Sequence, residues 1–180
     1  MRKLLLVRHA EPALTGVLLG HTDPPLGEAG LRRAREVLGL LRPAVVYTSP
    51  LERARQTAAV IAAPVVVLDE LAEISFGDWD GKTWAEVEAA WPELARRKQA
   101  DWLGVTPPGG EDWASFRLRI HRALDRIRGG PFPAVAVAHA GVNAEMAHQL
   151  TGADPAAFAQ DYCGALEYEL DPGSAAAAAD

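Results

Sequence analysis

The chain has 180 residues, 49% of them hydrophobic, enough apolar material for one domain with a full core. Its formal net charge is -6, so no general basic field draws it to nucleic acid. One cysteine, Cys163, excludes an internal disulfide and a cysteine-built zinc cluster, and no apolar run approaches membrane-spanning length.

Leu4-Leu5-Leu6-Val7 reads as a fully buried strand. Arg8 and His9 stand where it ends. In open α/β sheets, ligands gather outside the carboxyl ends of strands. The apolar run therefore presents Arg8 and His9 to a site. Together with Ala10-Glu11 they also cut the run short of a signal peptide, so the chain reads as cytoplasmic, in a reducing interior. Residues 10–26 read as a long loop broken by Pro12, Gly16, Gly20, Pro24 and Pro25. Loops of this length in small domains are functional or disordered.

Gly27 to Leu41 reads as a helix, with Leu31, Ala34, Leu38 and Leu41 on one face and Pro43 beyond its end. Ala44-Val45-Val46-Tyr47 reads as the second strand. Ser49 is suited to cap the next helix and Pro50 to its first position, with the helix running to about Ala63. Arg53 then lies in the first turn, near the strand's carboxyl end. Arg55 points about 200° away around the helix. Pro64 to Leu68 reads as a third strand, and Asp69 to Asp80 has no clear period.

Helical stretches follow over Thr83–Trp91, Pro92–Trp102 and Glu111–Arg128, the last with Phe116, Ile120, Ala123 and Ile127 on one face. Ala134 to His139 repeats the opening pattern: a buried strand ending in histidine, then a helix over Val142–Leu150. If both strands are parallel and central, the two imidazoles can converge. Gly164 to Leu170 reads as a last edge strand, with Cys163 a small edge-strand residue. Pro172 to Asp180 reads as a mobile Ala-rich tail.

Strands alternating with helices predict an α/β fold, a three-layer α/β/α sandwich with a mostly parallel sheet and an edge strand. Residues 1–171 read as one domain with a cap-like insertion at about 72–112. Trp79, Trp84, Trp91, Trp102 and Trp113 lie in or just beyond it. Most of them read as a small satellite core, with one or two available to shape a pocket.

Arg8-His9, Ser49 to Ala58, Leu71-Ala72-Glu73 with Phe76-Gly77-Asp78-Trp79, and His139-Ala140-Gly141 occur in this order. The set closely resembles the histidine phosphatase superfamily, with its phosphoglycerate mutase-like fold. Gly20-His21-Thr22-Asp23-Pro24-Pro25-Leu26 is similar to that family's loop after the first strand, so the resemblance spans nearly the whole chain.

The resemblance implies that His9 is a nucleophile. It implies that Arg8, Arg53 and His139 hold the phosphoryl oxygens and that Glu73 protonates the leaving group. Thr15, His21, Ala140 and Gly141 are the further substrate-side positions. Two departures stand out: Ala10 replaces a glycine, and Thr15 replaces an asparagine. His121 and His148 read as ordinary helix-surface residues, and His21 as a rim residue.

The chemistry agrees. Two guanidiniums grip phosphate oxygens with forked donor pairs. A protonated His139 adds another donor. A phosphoryl group can pass in line to His9. Glu73, with its pKa raised by the phosphate's negative charge, donates and then recovers a proton. No metal or cofactor is needed, and arginines would oppose a zinc ion held by His9, His139 and Glu73.

The expected activity is a phosphomonoesterase acting on a small phosphorylated metabolite, most like α-ribazole phosphatases and small broad-specificity phosphatases. One alternative is a 2,3-bisphosphoglycerate-dependent phosphoglycerate mutase, with Arg96-Arg97-Lys98 as the remnant of a basic cap cluster. The other is a catalytically silent phospho-ligand binding protein. Neither nucleic acid nor membrane is expected as a partner, and a homodimer stays open.

Overall fold

A computed structural model describes residues 2–170, so the Ala-rich tail lies outside the described residues. The chain runs β1 (Arg2–Arg8), α1 (Glu28–Leu38), β2 (Val45–Thr48), α2 (Glu52–Ala58) and β3 (Val65–Val67). Then come α3 (Trp84–Ala90), α4 (Pro92–Ala100), α5 (Trp113–Arg128), β4 (Ala134–Ala138), α6 (Ala140–Thr151) and β5 (Ala165–Leu170). The five strands form one sheet in the order β3-β2-β4-β1-β5. β1, β2, β3 and β4 are parallel, and β5 joins β1 as an antiparallel edge.

Successive strand residues point to opposite faces, and the core divides accordingly. Leu4, Leu6, Val45, Tyr47, Ala134 and Ala136 face α5 and α6, where Phe116, Ile120, Leu124 and Met146 meet them. Val7, Val46, Val135 and Val137 face the other way, against Leu38, Ala54, Ala58 and Ile61. A sheet with helices on both faces is the predicted three-layer sandwich. Each fully buried Leu, Ile or Phe in it contributes about 1.5–3 kcal/mol.

Several boundaries move for identifiable reasons. α1 stops at Leu38, with Gly39 as its C-cap, rather than running on to Leu41. α2 ends at Ala58, not Ala63. α6 starts at Ala140, two residues early, because His139 already serves as its N-cap in an extended conformation. The segment over Asp69–Asp80 holds two 3-10 turns, Asp69–Leu71 and Gly77–Trp79. Cys163 is not a strand residue: it sits before β5 with φ 59° and packs with Ala10 and Ala34.

The α2 start is the most informative correction. Its N-cap is Leu51, which offers no side-chain acceptor. Ser49 Oγ still accepts from the Leu51 amide at 3.2 Å, just ahead of the helix, and the Glu52 amide is satisfied from the loop after β1, donating to Asp23 Oδ2 at 2.7 Å.

Trp79, Val87 and Ala95 form a separate small core. Trp79 is fully buried, with Trp84 and Trp91 rings at 5.9 and 6.3 Å. α3 is held by a Thr83–Glu86 capping box. Trp102 stays partly exposed over Phe76 and Trp84. Trp113 leaves this group and packs on Phe116 of the main core.

Candidate active site

Three strand ends come level at one edge of the sheet. Arg8 is in register with Ala138, the His9 amide donates to the Ala138 carbonyl at 2.9 Å, and the Ser49 amide donates to that of Val137 at 3.1 Å. The residue after each strand therefore faces the same space. His9 and His139 meet there, with ring centroids 5.1 Å apart. Both are buried.

His9 Nδ1 lies 2.8 Å from the Ala10 carbonyl. A carbonyl only accepts, so Nδ1 carries the proton and Nε2 keeps its lone pair. The Ala10 amide is anchored by Thr57 Oγ1 at 2.9 Å, and Thr57 is anchored in turn on the Arg53 carbonyl. Burial pushes the His9 pKa from 6.5 down to about 3. The Arg53 and Arg8 cations reinforce this, and the bond to Ala10 opposes it. The imidazole is neutral near pH 7, as a nucleophile requires.

Burial has a stability consequence. Between the unfolded value of 6.5 and the folded value of about 3, the unfolded chain binds more protons at His9 than the folded one. Stability at this site therefore falls as pH drops through that window. Between about pH 7.5 and pH 4.5, the wild type is expected to lose about 2–3 kcal/mol more than a His9→Asn variant. Urea denaturation at the two pH values measures this, and equal losses would contradict it.

Burial, reinforced by His9 and by Arg53, holds the His139 pKa well below the usual histidine value, which favours the neutral ring. Its Nε2 sits 2.7 Å from Ser49 Oγ, and its Nδ1 is buried without a partner among the described residues.

Arg53 is fully buried on α2. Its Nη1 donates to the Thr22 carbonyl and to Asp23 Oδ1, and its Nη2 to the carbonyls of Leu19 and Gly20. Its ion pair is with Asp23 at 3.2 Å. Arg8 Nη1 donates to the Gln160 carbonyl at 2.7 Å. The Nε atoms of both arginines are buried without partners among the described residues. With His139 Nδ1, three nitrogens at this end of the sheet are buried without partners among the described residues, and a fourth, Trp79 Nε1, lies in the small separate core.

Glu73 approaches from the Asp69–Ile74 segment. Its Oε1 accepts from the Ile74 amide at 2.9 Å and its Oε2 from the Gly141 amide, in the first turn of α6, at 3.1 Å. A Cβ at residue 141 would stand 2.6 Å from Glu73 Oε1, so glycine is what admits the carboxyl. Burial raises the Glu73 pKa, against the two amides and the Arg53 and Arg119 cations. The expected cause was phosphate charge; the protein supplies the shift on its own by desolvation.

Of the remaining predicted residues, His21 is exposed and its Nε2 lies 3.0 Å from the Glu73 carbonyl. Ala140 is half-buried at the start of α6. Thr15 stays exposed on the loop, without a hydrogen bond to any of these groups. His121 and His148 lie away on helix surfaces, bonded to Asp125 and to the Ala153 carbonyl.

The sequence reading missed a second ring of residues. Tyr162 stacks on the Arg8 guanidinium at 4.1 Å and stands 5.6 Å from the His9 ring. Its loop is pinned by Gln160, which donates to the carbonyls of Leu6 and Gly164 and accepts from the buried Asn143. Asp80 ties the amides of Gly20 and His21 to that of Phe76. Tyr162, Gln160 and Asp80 lie on no periodic element, so spacing gave no signal for them.

Buried imidazoles, two guanidiniums and a shielded carboxyl thus gather at parallel strand ends, a donor set whose chemistry suits a small oxyanion. A match to the histidine phosphatase superfamily (branch 1) spans residues 4–178, and the chain belongs to that family. A bifunctional protein of Mycobacterium tuberculosis is 40% identical over 135 residues, which are 69% of this chain and 37% of that one. The adenosylcobalamin/alpha-ribazole phosphatase of Salmonella typhimurium is 34% identical over 134 residues, 69% of this chain and 66% of that one. The chain thus spans about a third of the first relative's length and just under two thirds of the second's. The solved structure of a mycobacterial glucosyl-3-phosphoglycerate phosphatase superposes with a TM-score of 0.80 at 27% identity, covering 92% of this chain and 89% of that one.

Proposed function

We propose that this protein is a metal-independent phosphomonoesterase working through a phosphohistidine on His9. The observation that carries the reading is the 5.1 Å approach of the neutral His9 ring to His139, with the Nε atoms of Arg8 and Arg53 and the Nδ1 of His139 buried without partners among the described residues. Family membership supports it.

In the first step, His9 Nε2 attacks phosphorus, the bond to the ester oxygen breaks, and a P–N bond forms. Arg8, His139 and the Nε of Arg53, whose Nη donors are spent on the loop at 19–23, hold the non-bridging oxygens as charge redistributes. A dianion beside His139 favours its protonated form, so the ring gains its cation when substrate arrives. The departing oxygen takes a proton from Glu73, whose raised pKa keeps that proton available. In the second step, Glu73 as carboxylate takes a proton from water. The water oxygen attacks phosphorus, the P–N bond breaks, and inorganic phosphate leaves.

The substrate class is a small phosphorylated metabolite. The names of the relatives make α-ribazole 5'-phosphate and glucosyl-3-phosphoglycerate the first candidates. Hydrolysis is favoured over a mutase reaction because the basic run of α4 does not act as a set. Arg96 pairs with Glu93, while Lys98 turns inward, donates to the Val105 carbonyl and lies over Trp102.

A phosphate-release screen over sugar phosphates, phosphoglycerates, nucleotides and α-ribazole 5'-phosphate tests the reading, with 3-to-2-phosphoglycerate interconversion followed in parallel. Release from at least one small monoester is expected. Efficient interconversion with little release would replace hydrolysis by the mutase reaction.

A further inference from the structure

Glu73 belongs to no helix or strand, and an acid on irregular backbone can wander. Two amides hold its carboxylate, but neither fixes the chain that carries it. That task falls to Arg119, a residue of α5 that the reaction does not otherwise use.

Arg119 Nη1 donates to the carbonyls of Glu70 at 2.8 Å and Ala72 at 2.6 Å. Its Nη2 donates to the carbonyl of Glu73 itself at 3.1 Å. Nε and Nη2 form a fork on the two carboxylate oxygens of Glu111, each at 2.7 Å. All the donors of a guanidinium are thus engaged. The ring of Phe116 backs the group at 4.6 Å. Only 14% of the Arg119 side chain and 19% of that of Glu111 are exposed, so the pair is shielded from water and far stiffer than a surface ion pair.

Glu111 is placed by Gly109-Gly110. The Glu111 amide donates to the Ser75 carbonyl at 2.9 Å, and a Cβ on Gly110 would stand 2.9 Å from the same oxygen. The chain is therefore gripped on both sides of the acid, at 70–73 by Arg119 and at 75 by the Glu111 backbone.

We infer that Arg119, locked by Glu111, is the positioning residue for the proton donor: it fixes the backbone of Glu73 so that the carboxyl stays aligned with the leaving oxygen. This rests on Glu73 being that donor. Arg119 touches no reacting atom; its donors are spent on protein oxygens.

The test compares kcat/KM for p-nitrophenyl phosphate and p-methoxyphenyl phosphate, which are alike in size but differ in how much the leaving oxygen needs a proton. kcat/KM covers the steps up to leaving-group departure. Arg119→Lys keeps the charge and loses the fork. It is expected to lower kcat/KM by about 100-fold on the methoxy ester and by about 10-fold or less on the nitro ester, since a small misplacement of a reacting group costs about that much. Glu111→Gln leaves the guanidinium in place and should show the same bias, more weakly, whether or not the lysine variant folds.

Glu73→Gln sets the reference and should show the largest bias. Equal losses on the two esters for both positioning variants, with Glu73→Gln still biased, would overturn the inference alone. An unbiased Glu73→Gln would overturn the assignment of the acid instead.

Discussion

Replacing His9 by alanine is expected to lower phosphate release by about 10^4-fold or more, because the variant loses the atom on which the covalent intermediate forms. The effect is chemical and not a collapse of the site. His9 makes one side-chain hydrogen bond, to its neighbour's carbonyl, while the Ala10 amide keeps its own anchor on Thr57. The nearby rival nucleophile is Ser49, whose hydroxyl touches His139 Nε2 at 2.7 Å in the manner of a base-activated serine. Two measurements separate them. A phosphohistidine is destroyed by acid, whereas a phosphoserine survives it, so an acid-quenched sample of wild type should lose its label. His9→Ala retaining a tenth of the activity, together with an acid-stable phosphoenzyme, would transfer the role to Ser49.

Arg53→Lys is expected to lower kcat/KM by about 10^3-fold and to destabilise the fold by about 2–4 kcal/mol. The two losses have different origins. The catalytic loss comes from removing a planar donor whose Nε is buried beside the imidazoles with no partner of its own among the described residues. The stability loss comes from the loop at 19–23. Its carbonyls at Leu19, Gly20 and Thr22, and the Asp23 carboxylate, all accept from this one guanidinium. An ammonium is a point charge with three rotatable donors and cannot span four acceptors. Asp23 also satisfies the first amide of α2, so releasing it frays that helix as well. Phosphate-release kinetics and chemical denaturation check the two parts. Wild-type turnover with an unchanged midpoint would contradict both.

How much of this was legible depends on whether a residue sits on a periodic element. The strands were read from unbroken apolar runs, and the α5 face from Phe116, Ile120, Ala123 and Ile127, all buried as expected. A period of two or of 3.6 survives in one sequence because neighbours along the chain are neighbours on the element. The convergence of His9 and His139 followed from the same logic. Two parallel strands that both end in histidine bring the rings together once the strands pair, and β1 and β4 do pair.

Ser49 shows where that logic stops. Serine before proline is a strong local signal for a helix start, yet the helix begins at Glu52 with help from Asp23 across the site. Ser49 keeps its local bond to the Leu51 amide, and a tertiary hydrogen bond from the Glu52 amide marks the start of the helix. Tyr162, Gln160 and Arg119 carried no local signal, since their partners lie far along the chain: Arg8, Leu6 and the Glu70–Glu73 carbonyls.

The sequence alone determined the layered α/β architecture and the strand ends where the candidate site forms, and it singled out Arg8, His9, Arg53, Glu73 and His139 as candidates, because each is marked by a strand end or by the ordered motifs of the family it resembles. Only the tertiary structure decided their protonation states and their supports. Whether an imidazole is neutral or a carboxyl keeps its proton depends on how much water has been excluded and which cations stand near. Those are properties of the folded surroundings, and no window of the linear chain contains them.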